Sequence, residues 1–155
     1  MSDELRELYQ EVILDHGREP RNFGKPEAAN HHAHGHNPLC GDKVTIYLEV
    51  ENDQVKDVGF EGSGCAISMA STSLMTETLK GRSIEEAHTF FRRFHDLMTG
   101  SEDGAGEEVD EEAFERLEVL SGVREFPMRV KCATLCWHTM EAAVKGERTE
   151  VSSNE

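Results

Sequence analysis

The sequence predicts an α+β fold in which a small antiparallel sheet of about three strands packs against four to six helices. Apolar residues alternate with polar ones from Val44 to Val50, and Asn52 and Asp53 then supply a turn, a pattern typical of a β-hairpin. Apolar residues recur at helical spacing before and after this hairpin, which predicts amphipathic helices that cover one face of the sheet. With 155 residues, the chain is long enough to bury the core of one domain.

The segment before the hairpin divides into a helix and an irregular stretch. Apolar side chains from Leu5 to Ile13 form one stripe on a helix over residues 3–16, with Ser2 as the expected N-cap. Residues 17–38 hold three of the four prolines and are expected to be extended and irregular. The stretch includes four histidines, His31, His32, His34 and His36. We expect this histidine-rich segment to be solvated, with loose metal binding as the alternative.

Helical spacing continues after the hairpin. Ser83 and Glu86 form the sequence pattern of a capping box, which starts one of these helices. We expect helices at 66–79, from 84 to about 98, around 114–120 and from about 128 to 145. The organisation is therefore one domain over residues 1–148, with an inserted acidic segment around 100–120 and a disordered tail at 149–155.

The charge balance restricts the possible partners. Lys and Arg contribute 16 residues against 31 Asp and Glu, so the net charge is −15. This excess of negative charge argues against nucleic acid and anionic membrane surfaces, because both are polyanions. The acidic start at Met1–Glu4 does not resemble a leader, and no apolar run has the length of a membrane span. We therefore expect a cytoplasmic protein whose thiols stay reduced.

Three cysteines lie beside residues that suit a metal-binding or reactive thiol. Cys40 precedes Gly41 and Asp42, Cys65 follows a glycine just before a predicted helix, and Cys132 follows Lys131. Three thiolates and the Asp42 carboxylate would complete a tetrahedral zinc site. The ligands are far apart in sequence, so spacing alone leaves open whether they share one ion. Pairing of the four cysteines as disulfides is the alternative that a reducing compartment disfavours.

The motifs around these cysteines resemble the cysteine signatures of the IscU/NifU-like iron–sulfur assembly proteins. The resemblance extends from about Leu8 to Val144, and its N-terminal part includes Asp15 and His16. Lys131 stands where IscU proteins carry histidine, and the acidic insertion is similar to one in the SufU branch of the family. The three signatures are NPLCGD at 37–42, GCAIS at 64–68 and FPMRVKC at 126–132.

The resemblance implies a zinc-dependent sulfur acceptor. Its zinc ligands would be Cys40, Asp42, Cys65 and Cys132, and Cys40 would take persulfide sulfur from a SufS-type cysteine desulfurase. A downstream iron–sulfur assembly scaffold would then receive the sulfur, so the chain would act as a sulfurtransferase. The alternative is a scaffold that assembles a transient [2Fe–2S] cluster on Cys40, Cys65 and Cys132, since thiolates bind both metals. A zinc ion that only completes the fold is the third hypothesis.

The fourth cysteine is expected to be structural. Cys136 lies one helical turn after Cys132 in the last predicted helix. A free cysteine at such a position usually behaves as a small apolar residue. We therefore predict that Cys136 is a core residue, with a spare acceptor thiol as the alternative.

Overall fold

The computed structural model describes residues 3–39, 41–100, 108–146 and 150–152. It confirms the α+β class, with helices packed on a small sheet whose strands β1 to β3 are antiparallel. The elements in chain order are α1 (Asp3–Arg18), β1 (His31–Asn37), β2 (Asp42–Glu51), β3 (Gln54–Ser63), α2 (Ala66–Leu79), α3 (Ile84–Thr99), α4 (Glu111–Leu117), a 3-10 helix (Glu118–Glu125), α5 (Pro127–Lys145) and β4 (Glu150–Ser152).

The predicted hairpin is formed by β2 and β3. Asn52 and Asp53 take positive φ values of 53° and 61°, which is the backbone that a tight two-residue hairpin turn requires. On the other side of β2, strand β1 pairs antiparallel, with Asn37 opposite Asp42. Strand β1 falls in the segment that we expected to be irregular throughout. Its inward-facing positions carry small or polar residues such as Ala33 and Gly35, so the apolar alternation that signals a strand is missing.

The sheet has the order β3-β2-β1-β4, and β4 runs parallel to β1. Strand β4 lies within residues 149–155, for which we expected a disordered tail. Its three residues pair by main-chain contact with β1, and this needs no apolar side-chain pattern. Residues 149 and 153–155 are outside the described part of the chain.

The helices largely follow their local signals. Helix α2 has the predicted bounds, and the capping box of α3 is present, with the Ser83 hydroxyl accepting the Glu86 N–H at 3.0 Å. The predicted short helix around 114–120 is divided into α4 and the 3-10 helix. Helix α4 begins after Asp110, which caps it, whereas residues 101–107 of the acidic segment lie outside the described ranges.

The core lies between the inner face of the sheet and helices α2, α3 and α5. Trp137 of α5 is fully buried and stacks on Phe94 of α3 with ring centroids 5.0 Å apart. Gly35 lets α5 approach β1 closely, because a Cβ atom at that position would overlap the Thr139 hydroxyl. This close packing brings the first turns of α5 next to the end of β1 and the start of β2. Cys132 of α5 and Asp42 of β2 are therefore placed to share a site.

Candidate metal centre

Asp42 is the first residue of β2, and its carboxylate is buried at 1% exposure. The backbone N–H of Cys65 donates a hydrogen bond to Asp42 Oδ1 at 2.9 Å, so the carboxylate is oriented toward the start of α2. Gly64 leaves room for this arrangement, since a Cβ atom there would lie 2.5 Å from Oδ1. Gly64, the glycine before Cys65, therefore allows the Asp42 carboxylate to lie close to the main chain at the start of α2.

Cys65 is the N-cap residue of α2 and is half-buried. Its Sγ accepts the Ser68 N–H at 3.4 Å, as a hydroxyl would in an ordinary cap. A sulfur at the N-terminus of a helix faces unpaired N–H groups and the positive end of the helix dipole, both of which stabilise a thiolate. The position thus suits an anionic ligand.

Cys132 lies in the second turn of α5 and is 2% exposed. Its Sγ is 3.9 Å from the side-chain amide of Asn37 and 3.7 Å from the Met128 carbonyl oxygen. Asn37 also organises the connection between β1 and β2. Its side-chain oxygen accepts the Leu39 N–H at 3.1 Å, and its carbonyl accepts the Gly41 N–H at 2.8 Å. One buried side chain therefore joins this connection to α5.

The structure brings three of the four predicted ligands together. One donor atom each from Asp42, Cys65 and Cys132 lies within 4.8 Å of the others, and Cys65 Sγ is 3.8 Å from Asp42 Oδ2. Tetrahedral zinc with bonds of about 2.3 Å to sulfur and about 2.0–2.2 Å to oxygen separates its donors by about 3.5–3.8 Å. The 3.8 Å separation of Cys65 Sγ and Asp42 Oδ2 fits that ion, and two sulfurs with one carboxylate are a donor set that zinc accepts. Cys40 falls outside the described residues, between Leu39 and Gly41.

The structure adds contacts that the sequence did not predict for two residues of the site. Asn37 belongs to the first cysteine motif, but its contact with Cys132 depends on how β1 meets α5. Arg129 lies one helical turn before Cys132, and a hydrogen bond to that sulfur raises the pKa of the guanidinium, with attraction to Cys65 acting in the same direction. The i, i+3 spacing on α5 was the available signal for this cation beside the thiols.

The N-terminal motif packs on the helix that carries Cys65 and supplies no donor to the site. His16 is buried, and its Nδ1 lies 2.7 Å from the Ser73 hydroxyl of α2. The same hydroxyl accepts the Arg21 N–H at 2.8 Å, and the Arg21 guanidinium pairs with Asp15 at 2.7 Å. Burial lowers the pKa of His16. The motif therefore ties α1 and the following segment to α2.

Cys136 is a core residue, as predicted. It is 1% exposed, and burial raises the pKa of its thiol from 9.0 to about 11. The thiol lies 3.5 Å from the Ser71 hydroxyl, away from the three converging ligands.

The helices of the described ranges include none with both the length and the apolar character that a bilayer crossing requires.

Comparison with known proteins gives the family of the chain. Residues 8–133 match the family model described as NifU-like N terminal domain. The chain is 41% identical over 143 residues to "Zinc-dependent sulfurtransferase SufU" of Bacillus subtilis strain 168, covering 92% of this chain and 93% of that protein. It is 36% identical to "Iron-sulfur cluster assembly scaffold protein IscU" of Streptococcus pyogenes serotype M1, covering 91% and 85%.

A solved structure shares the fold. The putative iron–sulfur cluster assembly scaffold protein for the SUF system from Fervidobacterium islandicum AW-1 superposes with a TM-score of 0.78 at 37% identity, covering 90% of this chain and 98% of that chain. The N-terminal NifU-like protein of Brucella abortus superposes with a TM-score of 0.77 at 21% identity, which shows the fold alone.

Proposed function

The chain belongs to the NifU-like N-terminal domain family of iron–sulfur cluster assembly proteins, and from that premise we propose that it is a zinc-dependent sulfur acceptor. In this proposal Cys40 takes sulfane sulfur from a SufS-type cysteine desulfurase and passes it to a downstream assembly scaffold. The observation that carries the proposal is the convergence of Asp42, Cys65 and Cys132 within 4.8 Å. The full-length similarity to a protein named zinc-dependent sulfurtransferase supports the same assignment.

The proposed ligands are Asp42, Cys65, Cys132 and Cys40. When bound, zinc would keep the coordinating cysteines deprotonated at neutral pH. Asp42 is a hard oxygen donor among soft sulfurs, which suits zinc, an ion that accepts both classes of ligand. The reducing cytoplasm, where we place the protein, would keep these thiols available.

The sulfur transfer follows thiol–disulfide exchange. The Cys40 thiolate attacks the terminal sulfur of the desulfurase persulfide, a new S–S bond forms on Cys40, and the S–S bond of the donor breaks. The donor cysteine leaves as a thiolate and the proton of the persulfide travels with the transferred sulfur, so no external oxidant or reductant is needed. Arg129, beside Cys132 and Cys65, would offset part of the negative charge that gathers in the site.

Exposed apolar side chains near the site suit a docked partner. Leu39, Phe126 and Met128 expose 58%, 58% and 57% of their surface, and each is within a few residues of a proposed ligand. Single exposed apolar residues are ordinary, but three that flank one reactive site indicate a surface that a partner covers. A desulfurase that docks here would exclude water from the persulfide during transfer.

A scaffold that carries a [2Fe–2S] cluster as its cargo is the second candidate. The similarity to an IscU scaffold over 91% of this chain favours it. Lys131, next to Cys132, weighs against it, because a lysine is a poor metal ligand where a histidine would serve. Both candidates use the same cysteines, so they differ in what the thiols hold during turnover.

The test is sulfur acceptance from a cysteine desulfurase, supplied with radiolabelled cysteine, by wild type and Cys40→Ala. We expect loss of label in Cys40→Ala with an unchanged circular dichroism spectrum. Cys136→Ala is the matched control, because its thiol is buried and should leave labelling intact. Normal labelling of Cys40→Ala would refute the assignment. A stable visible chromophore with iron and labile sulfide after anaerobic reconstitution would favour the scaffold.

A further inference from the structure

The histidine run forms one face of a strand. In β1 the side chains alternate, so that His32, His34 and His36 are exposed on the outer face while Ala33 and Gly35 face the core. The outer face of β1 lies beside that of β2, where His32 is opposite Tyr47 and His34 is opposite Thr45. The strand thus converts a run of histidines into a row of imidazoles on one surface.

His32 and His34 are close enough to share an ion. Their ring centroids are 5.6 Å apart at an interplanar angle of 69°. Two imidazoles bound to one tetrahedral zinc, with Zn–N bonds of about 2.0–2.1 Å, have centroids about 5 Å apart. The two rings are therefore about as far apart as two imidazoles that share one zinc ion.

Thr45 orients one of the two rings. Its hydroxyl lies 2.7 Å from His34 Nδ1. When Nδ1–H donates to the hydroxyl oxygen, the lone pair of that imidazole is on Nε2, which is then available to a metal. A hydrogen bond of this kind to the far ring nitrogen is the usual support of a histidine that binds a metal.

The surroundings admit a hydrated cation. His32 and His34 line an open cleft of about 350 Å³ together with Asn30 and Tyr47. The Tyr47 hydroxyl donates to Glu61 at 2.7 Å, so a carboxylate is bonded to one of the lining side chains. Lys25 also lines the cleft and opposes a cation, but the net charge of −15 raises the concentration of divalent cations around the whole molecule.

We propose that His32 and His34 form a second metal site, separate from the thiolate centre, for a late first-row divalent ion such as Zn²⁺. Imidazole pairs suit these ions, and water would fill the remaining coordination positions. The two sites lie on opposite faces of β1, because Asn37, which contacts Cys132, is buried on the inner face. Occupation of the histidine site is therefore independent of the sulfur-acceptor proposal.

The experiment is zinc equilibrium dialysis of the full chain, prepared with one tightly held equivalent. We expect wild type to bind one further equivalent, and the double variant His32→Gln/His34→Gln to bind it at least tenfold more weakly while retaining the first. His36→Gln is the matched control on the same strand face and should keep both. Cys65→Ser/Cys132→Ser should lose the first equivalent and keep the second, which separates failure of this proposal from failure of the proposed function.

A second measurement does not depend on the folding of any variant. Histidine-selective NMR of wild type with zinc added beyond the first equivalent should shift the His32 and His34 ring signals before those of His88. Uniform shifts across the histidines, or an unchanged second equivalent in the double variant, would overturn the site.

Discussion

Gly64→Ala perturbs the proposed zinc site without touching a ligand. A Cβ atom at Gly64 would lie 2.5 Å from Oδ1 and 3.0 Å from Cγ of Asp42. Since ordinary heavy-atom contacts are about 3.5–4.0 Å, the carboxylate would have to move by about 1 Å. That movement breaks the 2.9 Å hydrogen bond from the Cys65 N–H to Oδ1. The substitution therefore acts on zinc binding through the position of the carboxylate.

The expected magnitude follows from that hydrogen bond. A hydrogen bond to a charged group contributes about 1.5–3 kcal/mol, and loss of an outer-shell contact weakens metal binding by about 10–100-fold. The two ranges agree, because tenfold corresponds to about 1.4 kcal/mol. We expect the Gly64→Ala protein to bind zinc about 10–100-fold more weakly than wild type.

The assay is competition for zinc with a chromophoric chelator. Gly122→Ala is the matched control, since a Cβ atom there meets nothing within 4 Å, and it should bind zinc like wild type. Circular dichroism should show the same fold in all three proteins. Wild-type affinity in Gly64→Ala would mean that the buried Asp42 carboxylate does not contribute to the site, and the four-ligand assignment would fail.

Three further predictions concern the fold. Burial raises the pKa of Cys136 to about 11, so iodoacetamide at pH 8 should modify this thiol only after unfolding, as mass spectrometry would show. The folded state favours the protonated thiol, so the free energy of unfolding should decrease as pH rises from 9.0 toward 11. Gly35→Ala should lower the unfolding free energy in urea by about 1–3 kcal/mol, because its Cβ would overlap Thr139. Burial lowers the pKa of His16, so stability should fall as pH drops below 6.5, and His16→Gln should weaken that dependence in urea titrations at pH 5 and 7.

Local signals explain which elements the sequence predicted well. Helix α2 has apolar spacing and a glycine stop, and α3 has a capping box, so both are specified by residues within one or two turns. Strand β1 has no such signal, because its inner face is made of residues such as Ala33 and Gly35 and its pairing partners lie elsewhere in the chain. Helix α5 packs against the inner face of β1 and requires small residues on it. Because α5 lies about 100 residues further along the chain, a local sequence pattern does not reveal this requirement.

The candidate site also contains residues that the sequence predicted and one that it did not. Asp42, Cys65 and Cys132 were found from residue type and motif order, and the structure brings them together. Asn37 was missed as a site residue because its contact with Cys132 joins positions 95 residues apart. Only the folded packing of α5 against the end of β1 creates that contact, so residue type alone could not assign its role.

The location of each proposed ligand bears on which of them would exchange during the proposed sulfur transfer. Asp42 starts a paired strand and Cys132 lies within α5, while Cys65 is the N-cap of α2 and its carbonyl accepts the Met69 N–H at 3.0 Å. Main-chain hydrogen bonds therefore hold all three. In the sequence, Cys40 follows the end of β1 and precedes the start of β2. Moving any of the three described ligands away from a metal would disturb a strand or a helix. This favours Cys40 as the sulfur acceptor over the other two thiols, and it predicts that Cys65→Ser and Cys132→Ser lower zinc affinity whereas Cys40→Ser chiefly abolishes sulfur acceptance.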